Sequence, residues 1–448
     1  MYLENKKISV VGGGLVGSLL ATYLRKQGAN VLVFDKRSDP RKDISQAGRS
    51  INLALSDRGI QALKTLGIKS QIMKIAMPMY KRIMHSNSGS LTEQKYGKSN
   101  QAIYSVSRHI LNTKLIDIAE QHNVEFHFNK ECREIDFANN KLFFKDDYVS
   151  CSDYIFAADG AGSIIRKKMG HYFPDVKITE KFIDSSYKEL AIPSNLDGTH
   201  KIQNDALHIW PRKSFMVIAL PNLDGTFTCT LFAPNKGKNS FYDMKTNEDV
   251  ESFFSSYFPD LFNLIPDLSE QYFNNPTSPL GFVRSSSWNK NNTILLGDAC
   301  HATVPFYGQG MNSGFEDCFL LNEWIDLNHS LSMRTIKEFL SLRKLNTEAM
   351  QDLSMANFNE MQSKTADPTF LLQKKIEEWF SNKHPDKWIP LYSMVTFSSI
   401  SYHEAMQKGI IQDKIMKDVM SKNNLQIVFN ELELNQKNIE QQILRQIS

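Results

Sequence analysis

No stretch of the chain reaches the ~18 consecutive apolar residues that a membrane-crossing helix needs. Glu4, Lys6 and Lys7 stand where a leader would need an unbroken apolar run, and nothing after Met420 is apolar enough for a terminal anchor. Cysteine is scarce, 5 in 448 residues, odd in number and without a C-x-x-C pair. A disulfide framework and a cysteine-based zinc site are thereby excluded, and a reducing compartment is indicated. Charge of one sign is not in excess: 52 Lys+Arg meet 49 Asp+Glu for a net +3, which gives no basic footprint for nucleic acid. Internal repeats and low-complexity tracts are also missing. What remains is the expectation of a soluble, cytoplasmic globular protein, with 41% hydrophobic and 23% charged residues. At roughly 150 residues per domain the length allows about two or three domains and an enclosed cavity.

The chain opens as a βαβ unit. The apolar run Ile8–Val11 stops at Gly12, a helical stretch runs from Leu15 to Gln27, Gly28 ends it, and Val31–Phe34 forms a second strand. Residues 180–285 read as short β-rich runs, among them His208–Trp210, Phe215–Leu220 and Phe227–Phe232, separated by turns such as Asn222-Leu223-Asp224-Gly225. An α/β pattern returns at 293–325, and from about 335 onward the pattern is helical and charged, with Leu353, Asn357 and Met361 on one helix face.

Three motifs carry chemistry. Gly12-Gly13-Gly14-Leu15-Val16-Gly17 is a G-x-G-x-x-G between strand and helix: Gly12 for a tight turn, Gly14 for close approach of a pyrophosphate, Gly17 for helix–strand packing. Asp35 ends the second strand, where an acid accepts ribose hydroxyls, with Lys36 and Arg37 following. By itself the fingerprint indicates an ADP moiety and leaves FAD and NAD both open. The second motif, Asp159-Gly160 after the strand at Tyr154–Ala157, and the third, Asp298 after Thr293–Leu296, put further acids at the carboxyl ends of strands. Beyond the third lies Pro305-Phe306-Tyr307-Gly308-Gln309-Gly310-Met311-Asn312, opening a helix whose N-terminus can face a flavin carbonyl that gains negative charge on reduction. Asp298 and His301, at i and i+3, could suggest a metal pair, but no third ligand has usable spacing, so no metal is expected.

Together these motifs resemble the FAD-dependent aromatic-ring hydroxylases, the single-component flavoprotein monooxygenases. The resemblance is closest to members that hydroxylate L-kynurenine. It extends across Gly48-Arg49-Ser50-Ile51-Asn52-Leu53-Ala54-Leu55, Ala206-Leu207-His208-Ile209-Trp210-Pro211, Ile218-Ala219-Leu220-Pro221-Asn222-Leu223-Asp224 and Tyr392-Ser393-Met394-Val395-Thr396-Phe397. It implies an α/β fold: a Rossmann-like FAD-binding domain interrupted by an antiparallel β-sheet substrate domain, plus a C-terminal helical region. The expected boundaries are 1–178 for the first part of the FAD-binding domain (with a substrate-contacting segment near 75–100), 179–285 for the substrate domain, 286–335 for the second part and 336–448 for the helical region.

The resemblance also implies roles. FAD would be held by the fingerprint residues together with Asp35, Lys36, Arg37, Ala54, Arg108, Asp159, Gly160, Asp298, Pro305, Gly308, Gly310, Met311 and Asn312. Arg82, Tyr96, Asn357 and Tyr392 would hold the amino-acid end of the substrate. Leu207, Met216, Ile218, Leu220, Phe232, Pro305, Phe306 and Met361 would enclose its ring. A zwitterion calls for a planar cation with neutral hydroxyl or amide partners, and a flat ring calls for apolar walls, so the residue types agree with the implied roles. No catalytic residue is assigned, and Phe306, Tyr307 and Gln309 would act by positioning. Tyr307 departs from the pattern, which places His there in bacterial members.

With one fingerprint in the chain, NADPH (or NADH) would visit transiently as hydride donor, and oxygen would pass to the ring from a flavin hydroperoxide formed with O₂. A hydroxylase of another aromatic acid is the alternative enzyme. The W-x-W-x-I-P signature of flavin halogenases is absent, and a non-catalytic binding protein of the same fold would be colourless. A monomer or a homodimer is expected.

Overall fold

The computed structural model describes residues 1–42, 52–96, 101–363, 368–422 and 432–447. A six-stranded sheet organises the first part. Its order is Asn289–Lys290, Thr293–Leu295, Tyr154–Ala157, Lys7–Val11, Asn30–Phe34, Glu125–His127, parallel throughout except for the first pair. In the strands Lys7–Val11 and Asn30–Phe34 the last four residues are all buried, the uninterrupted pattern of a sheet covered on both faces. Register then does the positioning. Val11 lies level with both Phe34 and Ala157, and Ala157 with Leu295. The residues that follow these strands, Gly12, Asp35, Asp159 and Asp298, therefore emerge along one edge, the carboxyl edge where open α/β sheets hold ligands. The Leu15–Lys26 and Gly310–Asn328 helices pack against this sheet.

The second sheet has seven strands in the order Thr277–Ser285, Ile178–Ile192, Phe227–Pro234, Phe215–Pro221, Ala206–Arg212, Lys81–His85, Leu91–Lys95. Every pairing is antiparallel except that of Lys81–His85 with Ala206–Arg212. Its outer hairpin thus comes from the chain segment before residue 100. Strand alternation gives the sheet two faces. On one, Trp210, Phe215, Val217, Ala219, Cys229 and Leu231 form a core with Phe253, Phe254 and Phe258. The other carries Arg82, Leu207, Met216, Ile218, Leu220 and Phe232. Within the β-rich stretch 180–285, the helices Asn247–Tyr257, Pro259–Phe262 and Leu268–Asn274 interrupt the strands and cover the first face.

The C-terminal region is helical: Met333–Ser363, Pro368–Lys383, Leu391–Thr396, Tyr402–Lys422 and Leu432–Ile447. Ile376, Phe380, Trp388, Met416, Val419, Ile439 and Ile443 give it a core of its own. Among the described residues, no helix is long and apolar enough to cross a membrane.

Candidate cofactor and substrate site

The fingerprint turn is sterically committed to glycine. Gly12 has φ +103°, and a Cβ there would lie 2.4 Å from the Ala158 carbonyl oxygen. A Cβ on Gly17 would lie 1.9 Å from the Gly12 carbonyl oxygen. At Gly14, the residue capping the Leu15–Lys26 helix, the same construction meets nothing within 4 Å. The turn is tight on the protein side and open in front of a helix N-terminus, the cradle a pyrophosphate requires.

Asp35 is buried, and its Oδ2 accepts the Gly13 backbone N–H at 2.8 Å. Arg37 grips both carboxylate oxygens, Nε to Oδ1 at 3.0 Å and Nη2 to Oδ2 at 2.8 Å. Burial alone would raise this carboxyl, but the Arg37 bonds and the Gly13 N–H outweigh it and hold it below the usual carboxylate range. A ribose approaching Asp35 therefore meets Arg37 as well. Lys36 is exposed. Asp159 accepts the Ile164 N–H at 2.8 Å through Oδ2, while its Oδ1 is buried without a hydrogen-bond partner, and burial raises its pKa. Asp298 is exposed at the start of its short helix, Pro305 is exposed as well, and Arg108 is exposed in the first turn of the Arg108–Gln121 helix. The open space at Gly14, the unpartnered Asp159 oxygen and the convergence of strand ends all fit an FAD.

Asn312 differs from the sequence expectation in how it is used. Its Nδ2 donates to the carbonyls of Ala54 and Gly308, each at 2.8 Å, and its Oδ1 accepts the Ser56 N–H at 2.9 Å. The side chain is spent on fixing the Asn52–Leu55 strand to the Pro305–Gly308 turn, so only backbone at Gly310, Met311 and Asn312 is left for a cofactor. Those first-turn N–H groups have no acceptor within their helix. Gly48 to Ile51 lie outside the described residues.

The substrate candidates converge on the other face of the seven-stranded sheet. Tyr96 and Leu220 form a buried cluster with Met79, Ile103 and Phe397, against which Ala54, Leu207, Ile218 and Tyr392 pack. Met216 and Phe232 belong to a second cluster with Leu280 and Val304, which Phe306 and again Ile218 join. Ile218 links the two into one wall. Phe306 stacks on Phe358 at 4.5 Å, and Asn357 Nδ2 donates to the Phe306 carbonyl at 2.8 Å. The amide of Asn357 is thus fixed to the loop it flanks. Met361 lies on the Met333–Ser363 helix, with its side chain outside the described residues.

Arg82 is the one cation among these groups. Its guanidinium lies 4.0 Å from the Tyr392 ring centroid and 5.2 Å from that of Tyr96. Among the described residues no carboxylate pairs with it, and its Nε is buried without an acceptor. Burial opposes the charge on Arg82, but the neighbouring tyrosine hydroxyls outweigh it and keep the group protonated. An anion supplied from outside is what this arrangement lacks. Tyr307 is buried and stacks on Tyr392 at 5.8 Å, and burial raises its phenol far above the usual range, so it stays protonated.

Several residues here escaped the sequence reading. Behind the loop 305–309, Glu316 binds both Arg58 (2.7 Å) and Arg343 (3.0 Å). Asp317 binds Arg343 at 2.8 Å and His301 Nε2 at 2.6 Å, and accepts the Gly297 N–H at 3.1 Å. His301 therefore faces a structural carboxylate. Arg58 also donates to the Val395 carbonyl at 2.8 Å and lies 4.0 Å from the Tyr402 ring centroid; the Tyr402 hydroxyl donates to Gln309 Oε1 at 3.0 Å. Arg166 joins the second and third motifs, donating to the Ala161 (2.5 Å) and Ala299 (2.8 Å) carbonyls and pairing with Glu180. The signal available was Glu316-Asp317, two adjacent acids in the first half of the Gly310–Asn328 helix.

Comparison with known proteins agrees with this geometry. Residues 5–327 match the family model described as an FAD binding domain. The chain is 47% identical to the kynurenine 3-monooxygenase of Christiangramia forsetii, covering 93% of this chain and 94% of the relative. It is also 47% identical to that of Flavobacterium johnsoniae (97% and 98%) and 40% identical to that of Dictyostelium discoideum (94% and 95%). Among solved structures, it resembles the tetrameric form of 2-methyl-3-hydroxypyridine-5-carboxylic acid oxygenase with TM-score 0.68 at 20% identity, over 81% of this chain and 94% of the other. PqsL of Pseudomonas aeruginosa, a probable FAD-dependent monooxygenase, gives 0.65 at 15%, over 80% and 97%; at these identities both likenesses speak to the fold.

Proposed function

This chain belongs to the kynurenine 3-monooxygenase family of FAD-dependent flavoproteins, and from that premise we propose that it converts L-kynurenine to 3-hydroxy-L-kynurenine with NADPH and O₂, a step of tryptophan degradation. The observation that carries the substrate assignment is Arg82: a guanidinium with no carboxylate partner among the described residues, stacked against two tyrosines at the edge of an apolar wall. A carboxylate entering there gains a charge-assisted pair, with the neutral Tyr96 and Tyr392 hydroxyls as further partners. Leu207, Ile218, Leu220 and Phe232 leave the ring no polar contact to turn toward.

FAD would sit on the fingerprint turn, with the Gly310–Asn312 N–H groups toward its pyrimidine carbonyl and Asp159 and Asp298 toward its linker. When bound it supplies hydride acceptance and activation of O₂. The chain's own contribution is orientation and exclusion of water. Arg82 fixes one end of the substrate, and the sheet face with Phe306 fixes the plane of its ring. The substrate's own amino group enriches the carbon beside it, so the protein needs no strong base, and the protonated Tyr307 offers none. Five free cysteines accord with a cytoplasmic location, where the enzyme acts on small molecules as a monomer or homodimer.

The test is binding of L-kynurenine against kynuramine, its analogue without the carboxylate, followed by perturbation of the flavin spectrum. L-Kynurenine should bind tighter by about thirtyfold, the worth of one charge-assisted pair. Equal affinities would remove the carboxylate–Arg82 contact from the assignment.

A further inference from the structure

Behind the sheet, on the face turned away from the substrate wall, four side chains form a hydrogen-bonded chain that the reaction does not use. His85 Nδ1 lies 2.7 Å from Asp260 Oδ2, and His85 Nε2 lies 2.8 Å from His208 Nδ1. His208 Nε2 lies 2.7 Å from the Gln203 carbonyl oxygen. Trp210 Nε1 donates to Asp260 Oδ2 at 2.8 Å, and its ring stacks on His85 at 3.9 Å. Both histidines are buried, 4% and 2% exposed.

The protons in this chain can be counted. A carbonyl only accepts, so His208 Nε2 carries a proton. Burial depresses His208 to about 4, so at neutral pH its Nδ1 is bare and acts as an acceptor. His85 Nε2 must then donate. At the other end, burial raises the Asp260 carboxyl, but the hydrogen bonds from His85 and Trp210 outweigh this and hold it below the carboxylate range. Asp260 is therefore ionised and His85 Nδ1 must donate as well. The His85 ring therefore donates from both nitrogens while it stacks on the face of Trp210. The charged and titratable groups around it are Asp260, His208 and Arg212, whose Nη1 donates to the His85 carbonyl at 2.8 Å; Asp205 and Lys81 act on His208 from the flank.

His85 lies three residues beyond Arg82 on the strand Lys81–His85, and alternation puts the two on opposite faces. That strand belongs to a hairpin at the sheet edge, whose outer member Leu91–Lys95 is exposed at every position. On its inner side the strand pairs only with Ala206–Arg212, Arg82 level with Leu207. Rear-face cross-links tie this edge to the helical layer and to the neighbouring strand: His85 to Asp260 of the Pro259–Phe262 helix and to His208, and Arg212, itself bonded to the Tyr257 carbonyl, to the His85 and Ser86 carbonyls.

We propose that His85 is a positioning residue, donating from both ring nitrogens to Asp260 and His208, that seats the strand presenting Arg82 to the substrate carboxylate. The Arg82 part of this rests on the function proposed above; the two hydrogen bonds donated by His85 do not. Two arms separate them. In spectra of the ¹⁵N-histidine-labelled holoenzyme at neutral pH, one histidine should show both ring nitrogens protonated, and its signals should vanish in His85→Gln. A single protonated nitrogen at His85 would overturn the proposal. In steady-state assays His85→Gln should raise KM for L-kynurenine about tenfold, with kcat within about twofold and bound FAD unchanged. In an Arg82→Met background it should raise KM little further, because it acts through Arg82. An undiminished tenfold effect there, or a fall in kcat with KM unchanged, would overturn the positioning role. Should His85→Gln fail to fold, Asp260→Asn gives the same readings: loss of the doubly protonated histidine, and a KM effect absent without Arg82. Failure of the unaltered chain to hydroxylate kynurenine would overturn the functional reading and its Arg82 part, leaving the NMR arm to decide the two hydrogen bonds of His85.

Discussion

Arg82 and Gly17 represent the two kinds of residue on which the site depends. At Arg82 a charge waits for a partner. Arg82→Met should raise KM for L-kynurenine about thirtyfold, some 2 kcal/mol, with FAD content unchanged, as steady-state kinetics with a flavin assay would read. At Gly17 the requirement is an absence: an added methyl would lie 1.9 Å from a main-chain oxygen. Gly17→Ala should weaken FAD binding by roughly ten- to a hundredfold, the equivalent of about 1–3 kcal/mol of overpacking, measured by flavin titration of the apoprotein. Gly17 was legible in the sequence from spacing alone, since one Gly pattern between strand and helix has one geometric use. Arg82 was not, because a single arginine in a strand looks like any surface cation, and only the family resemblance singled it out. Asn312 shows a third case: its position was legible, but its three hydrogen bonds to Ala54, Gly308 and Ser56 depend on neighbours distant in sequence.

Among the elements, those with a strict period were the readable ones. Strand, turn and helix at 7–34 follow from buried apolar runs punctuated by Gly12 and Gly28. The helices between Asn247 and Asn274 were hidden among β-rich runs, although Thr246 and Asp249 form a capping box that the T-x-x-D spacing records. The hairpin at 81–95 could be tied to the substrate but not assigned to the seven-stranded sheet, because its pairing with 206–212 is non-local. The ion network was invisible for the same reason: Arg58 and Glu316 are 258 positions apart. That network joins the Gly310–Asn328 helix to the segment that carries Tyr392. Arg343→Met leaves Glu316 and Asp317 short of a counter-charge in a buried setting. It should destabilise the protein by about 3–5 kcal/mol, read as a lowered midpoint in chemical denaturation.

The whole molecule places a dinucleotide-binding edge against the free face of a second sheet, and its acid stability follows from how the two are fastened. Asp317 is fully buried, which raises its pKa, but His301 and Arg343 outweigh that and hold it below the ordinary value; Asp35 is lowered likewise by Arg37. A carboxyl whose folded value is depressed stabilises the fold above its unfolded value and loses that contribution as pH falls through the folded one. The share from Asp317 and Asp35 should therefore hold through the weakly acidic range and fall below the unfolded carboxylate value near 3.9, while buried neutral His208 costs stability as pH falls from the ordinary histidine value near 6.5 toward about 4. Asp317→Asn should be less stable at neutral pH and less sensitive to acid, as calorimetry across pH would record.

Oxygen balance tests the central claim most directly: NADPH consumed, 3-hydroxykynurenine formed and H₂O₂ released by the FAD-loaded enzyme in air, with and without L-kynurenine. Kynurenine should speed NADPH oxidation, and nearly every NADPH should appear as hydroxylated product with little peroxide. NADPH oxidation that ignores kynurenine, or that ends as peroxide with the substrate unchanged, would contradict the account.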